Sequence, residues 1–126
     1  MCWYNQIMEN EVSLDENNII RLTYTGVIDD NVNLLLNVKI EEYVAILKEK
    51  NLPLNILADA TDLKKFVAGT RQKILQRFNE LDVNKLAVIG ATRIQEYLLK
   101  FFAKVLDNRS MQIFDTEEEA LKWLLE

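Results

Sequence analysis

Histidine is absent from the 126-residue chain, cysteine occurs once, at Cys2, and there are three glycines and one proline. Without imidazole the chain has no general base that titrates unaided near neutral pH, no Ser-His or Cys-His nucleophile pair, and no zinc site that needs a His ligand. A lone cysteine excludes an internal disulfide and a Cys-x-x-Cys metal or redox pair, so a reducing, cytoplasmic setting is expected. Average usage would place about fifteen Gly and Pro in this length. So few leave no material for a flexible linker, and residues 1–126 read as a single domain.

Positive charge is also in deficit: 15 Lys and Arg stand against 20 Asp and Glu, a net charge of −5. Phosphate backbones and anionic lipid surfaces attract a basic excess, so nucleic acid is not an expected partner. The start, MCWYNQIMENEV, lacks a basic stretch followed by an apolar run, and no segment approaches the roughly 18 apolar residues of a membrane span. An integral membrane protein is therefore not expected. What the chain does have is 49% hydrophobic residues, enough to fill one core and too many for disorder.

The apolar residues are arranged in a readable order. EVSLDENNIIRLTYTGVI holds two β-rich runs around the polar cluster Asp15–Asn18, the composition of a hairpin. Ile20, Leu22 and Tyr24 alternate with polar residues, as in a strand with one face to the core, and Gly26 is expected to end the run. Asp29, Asp30 and Asn31 then offer caps to a long helix, with Val32, Leu36, Ile40, Tyr43 and Leu47 along one stripe. Pro53 cannot continue that helix, and LNILAD reads as a buried parallel strand closing at Asp59.

ATDLKKFVAG reads as a loop, with LKK and the earlier LKEKN as solvated charge. A helix beginning near Gly69 and Thr70 carries Ile74, Leu75, Phe78 and Leu81, and KLAVIG is the next buried strand. Thr92 and Gln95 have capping-box spacing ahead of a helix whose broad apolar face includes Ile94, Tyr97, Leu98, Phe101, Phe102, Val105 and Leu106. MQIF is the last strand, and Thr116 with Glu119 opens a terminal helix burying Ala120, Trp123 and Leu124. The order β-β-α-β-α-β-α-β-α predicts an α/β domain with about five strands, an N-terminal antiparallel hairpin and parallel later strands.

This order, with LNILADATDLKKF, KLAVIGA and IFDTEEEALKWL, resembles the STAS or SpoIIAA-like family of anti-sigma-factor antagonists, and in particular its STAS/SEC14 branch. The resemblance implies a SpoIIAA-like mixed sheet with four helices packed mainly on one side, serving as a non-enzymatic regulatory or ligand-binding module. Members that work as sigma-factor switches share an Asp-Ser-Ser-Gly motif at the start of the second helix, where a serine is phosphorylated. Here that region reads FVAGTRQK, with Phe66, Val67 and Ala68 in place of the acid and serines. Only Gly69 matches, and Thr70, which follows it, is left as the candidate phosphoacceptor.

In parallel α/β sheets, ligands bind beyond the carboxyl ends of the strands. Asp59, Thr61 and Asp62 follow one strand, Gly90, Thr92 and Arg93 the next, and with Gly69 and Thr70 they make the candidate ligand or partner surface. Gly90-Ala91-Thr92-Arg93 at a helix start suits a small anion, although Thr92 and Thr116 as plain caps and Asp59 and Asp62 as turn residues account for the same pattern.

Paired acids before the first helix, with Asp59 and Thr92, also suggest a receiver domain. The stretch from Asp30 to Asp59 has no room for the further strand and helix a receiver needs, and MQIFDT contains no lysine. A divalent-metal site from Asp29, Asp30, Asp59 and Asp115 is chemically open but has no spacing motif. Serines at 13 and 110 have no base beside them, so no catalytic residue, cofactor or metal is expected. The expected activity is binding of a protein partner without turnover. The alternative is carriage of a small apolar ligand or lipid between the sheet and the aromatic helix that holds Tyr97, Phe101 and Phe102.

Overall fold

The computed structural model describes residues 10–93, 95–97, 100 and 111–126. Its elements are β1 (Glu11–Leu14), β2 (Ile19–Ile28), α1 (Asp30–Glu49), β3 (Asn55–Phe66), α2 (Ala68–Glu80), β4 (Lys85–Ile89), β5 (Met111–Phe114) and α3 (Glu117–Leu124). Arg93, Gln95–Tyr97 and Lys100 are helical and mark a fourth helix between β4 and β5.

The strands form one sheet in the order β1-β2-β3-β4-β5, with β1 antiparallel to β2 and every later pair parallel. The hairpin forms where the polar cluster predicts it. The Asp15 carboxylate accepts the backbone N–H groups of Asn17 and Ile19 at 2.8 and 3.0 Å, and Asn18 takes a left-handed φ of 61°, which Asn tolerates.

Residue alternation covers both faces of the sheet. Ile20 and Leu22 of β2, Ile56 and Ala58 of β3, and Leu86 and Val88 of β4 belong to the core that α1 and α2 close with Leu36, Ile40, Val44, Ile74 and Phe78. Their neighbours Ile19, Leu57, Ala87 and Ile89 face the other way, against Ala120 and Leu124 of α3. α1 starts as its sequence requires, the Asp29 carboxylate accepting the Val32 N–H at 3.0 Å. It ends in a Schellman motif, with Leu52 N–H on the Leu47 carbonyl and Asn51 at φ 58°.

Two boundaries differ from expectation. Gly26 does not end β2, which continues to Ile28; the glycine instead takes φ 73° beside a register shift against β3. Nor is the segment after Asp59 a loop. β3 runs on to Phe66, pairing Asp62 with Thr25 and Phe66 with Ile28 across two register shifts. β4 accompanies it only as far as Asp59, opposite Ile89. Beyond Asp59, more than half of β3 pairs with β2 and, among the described residues, with no strand on its other side.

Candidate functional site

The parting of β3 from β4 creates the site. The Asp59 carboxylate accepts both the backbone N–H and the hydroxyl of Thr61, at 2.9 and 2.6 Å, fixing the strand where it leaves its partner. Gly90, at φ 76°, passes so close to Thr61 that a Cβ there would lie 2.3 Å from the Thr61 hydroxyl and 2.5 Å from its nitrogen. Only glycine meets both demands.

Beyond it the capping box at Thr92 is complete. Gln95 N–H donates to the Thr92 hydroxyl at 3.2 Å, and Thr92 N–H donates to the Gln95 amide oxygen at 2.9 Å. The amide nitrogen of Gln95 reaches back to the Leu63 carbonyl of β3 at 3.4 Å. Asp59, Thr61, Gly90 and Thr92 therefore meet at the carboxyl edge of the sheet. Asp62 and Arg93 are exposed beside them.

Gly69 and Thr70 lie elsewhere on the same edge. Gly69 is exposed in the first turn of α2, but Thr70 is only 1% exposed, and its hydroxyl donates to Asp30 of α1 at 2.6 Å. Lys73 donates to the other oxygen of the same carboxylate at 2.7 Å. The hydrogen bond from Lys73, aided by that from Thr70, holds the Asp30 carboxyl below its ordinary value of 3.8. Thr70 thus ties the starts of α1 and α2 together.

Between α2, the helix opening at Arg93 and the sheet lies a cavity of about 320 Å³. Its described floor and walls include Ala58, Ala60, Leu63, Phe66, Ile74 and Phe78. Tyr24 also lines it, its ring edge-to-face with Phe66 at 5.0 Å, and burial pushes its phenol well up. Two alanines on adjacent core-facing positions of β3 supply the room, since neighbouring positions on that face hold Ile and Leu.

Of the aromatic face expected from Tyr97, Phe101 and Phe102, Tyr97 is 74% exposed, and Phe101 and Phe102, with Ile94, Leu98, Val105 and Leu106, lie outside the described residues. Lys64, Lys65 and Arg71 also line the cavity. Residue spacing does not foretell this, because the two lysines lie in the segment that reads as a loop. A second cavity, about 600 Å³, opens between the C-terminal ends of α1 and α2 and contains none of the predicted site residues.

Asp29 is occupied as a helix cap and Asp30 by Thr70 and Lys73, and among the described residues no group of three or more acids or cysteines converges to hold a metal ion. Among them, too, no helix is long and apolar enough to cross a membrane.

A family model for SpoIIAA-like domains matches residues 19–125. The chain belongs to the SpoIIAA-like family. No curated protein matches it significantly. Among solved structures, an uncharacterised protein from Shewanella loihica with a SpoIIAA-like fold superposes with a TM-score of 0.70 at 18% identity, covering 91% of each chain. The anti-sigma factor antagonist SpoIIAA in its unphosphorylated form gives 0.66 at 14% identity, over 92% of this chain and 97% of that one. A proposed anti-sigma factor antagonist from Thermotoga maritima gives 0.58 at 16%, over 97% and 99%.

The SpoIIAA-like fold accounts for the mixed five-stranded sheet with four helices. In this SpoIIAA-like domain the start of α2 carries Val67 as a cap without a side-chain hydrogen bond, and its hydroxyl faces inward at Thr70.

Proposed function

We propose that this SpoIIAA-like domain is a non-enzymatic regulatory module that binds a protein partner at the carboxyl edge of its sheet. The observation that carries the reading is the fold, shared over most of the chain with proteins described as anti-sigma factor antagonists. The surface is suited to it: Leu34, Leu35 and Val38 near the start of α1 and Val67 before α2 are exposed apolar residues, and the Thr70–Asp30 bond holds the two helix starts together. Asp59, Thr61, Asp62, Gly69, Gly90, Thr92 and Arg93 complete the proposed surface.

The module works without phosphorylation at Thr70. A phosphoryl group there would break the bond to Asp30 and set about two negative charges beside a carboxylate. A photo-crosslinking residue placed at Val67, against a control at Lys122 on α3, tests the reading in cells of the source. Capture of one protein from Val67 alone is the expected outcome; equal capture from both positions, or none, overturns it.

A second reading, carriage of a small apolar ligand, is supported by the cavity over Ala58 and Ala60. Mass spectrometry of a solvent extract of the purified protein checks it, and a clean extract counts against it.

A further inference from the structure

We infer that the cavity takes a single-chain amphiphile with an anionic head, its chain over Ala58 and Ala60 and its head at Lys64, Lys65 and Arg71. The inference rests on the ligand-binding reading and names the class of ligand. The interior accepts a chain: the surface around Ala58, Ala60, Ile74 and Phe78 is apolar, and about 320 Å³ holds roughly ten non-hydrogen atoms at the ~30 Å³ of a liquid water.

The rim accepts an anion. Lys64, Lys65 and Arg71 line the cavity, while no Asp or Glu does so among the described residues, in a chain whose net charge is −5. Lys64 and Lys65, both exposed at the rim, set the sign of the head group. One further feature favours the same end. Thr92 and Gln95 lie on the rim and add polar groups able to bond an oxyanion. The chain and head are thus recognised by different parts of one cavity, the chain by burial and the head by charge.

Titration of the purified protein with decanoate, 1-decanol and decyltrimethylammonium, each below its micelle concentration, separates the two parts. One decanoate is expected to bind per chain, about tenfold more tightly than decanol, with the ammonium compound weakest. K64Q/K65Q, at two exposed positions, should remove most of the margin for decanoate and leave decanol unchanged. Ala60→Leu should abolish binding of both with the melting temperature equal or raised, since it fills the space.

Decanol or the ammonium compound binding as well as decanoate overturns the anionic head while the ligand-binding reading stands. Undiminished decanoate binding by Ala60→Leu overturns the placement of the chain. If no probe binds, the ligand-binding reading falls, and this inference with it.

Discussion

Two glycines with nearly equal dihedral angles differ in what surrounds them. Gly26 has φ 73° and open space where a Cβ would go; Gly90 has φ 76° and Thr61 in the way. Gly26→Ala is expected to cost about 1 kcal/mol, the left-handed strain alone, whereas Gly90→Ala should cost at least about 2 kcal/mol, because the Thr61 backbone must also move. Urea unfolding of the two variants measures the difference. Thr70 makes a comparable test of a single bond. Thr70→Val keeps the shape and deletes the hydroxyl, so a loss of about 1 kcal/mol is expected, and the Asp30 carboxyl should titrate closer to its ordinary 3.8 by NMR.

At the scale of elements, the ends of helices carry most of the design. Asp82 follows α2 at φ 58°, where a left-handed residue is needed and where the negative end of the helix dipole disfavours a carboxylate. Asp82→Gly relieves both, and a gain of about 0.5–1 kcal/mol in urea unfolding is expected, partly offset by the freer unfolded chain.

Caps and periodic stripes are local, which is why α1, the box at Thr92 and the burial of Ala120 and Leu124 were legible in sequence. The far half of β3 was not. TDLKKF has three charged residues and its two register shifts break the alternation, so only pairing with β2, a tertiary fact, makes it a strand. The same gap hid Lys64 and Lys65 from the site. Of the site itself, the clustering of Asp59, Thr61, Gly90 and Thr92 at one edge follows from topology, whereas the inward turn of Thr70 and the space over Ala58 and Ala60 depend on packing that no residue spacing encodes.

For the whole molecule, the missing histidine becomes a statement about pH. Without an imidazole, stability should stay nearly flat between about pH 5 and 8. Below that it should fall. Burial pushes the Asp15 carboxyl up, but the N–H of Ile19, the Arg21 guanidinium at 3.0 Å and the N–H of Asn17 outweigh it and hold it below 3.8, as Lys73 and Thr70 hold Asp30.

A carboxyl with a lowered folded value stabilises the protein above its unfolded value of 3.8, and that contribution disappears as the pH drops through the folded value. The buried Tyr24 phenol acts at the other limit: raised in the folded state, it favours folding below its unfolded value of 10.0, and the benefit is lost at higher pH. Urea midpoints measured from about pH 3 to 11 should trace a plateau with two shoulders; a step near pH 6.5, where histidine titrates, would contradict it.

The spatial order of the strands repeats their order along the chain. Among the described strands none is slotted between two that precede it, so each one adds to an edge already in place, and every parallel step closes a loop of similar, modest length. Assembly can therefore proceed by accretion from the hairpin outward, with no insertion step and no threading to undo. The seam between β3 and β4, five paired positions from Asn55↔Lys85 to Asp59↔Ile89, is then the boundary along which a chain cut in the turn at residues 82–84 would separate into two contiguous halves able to find each other again.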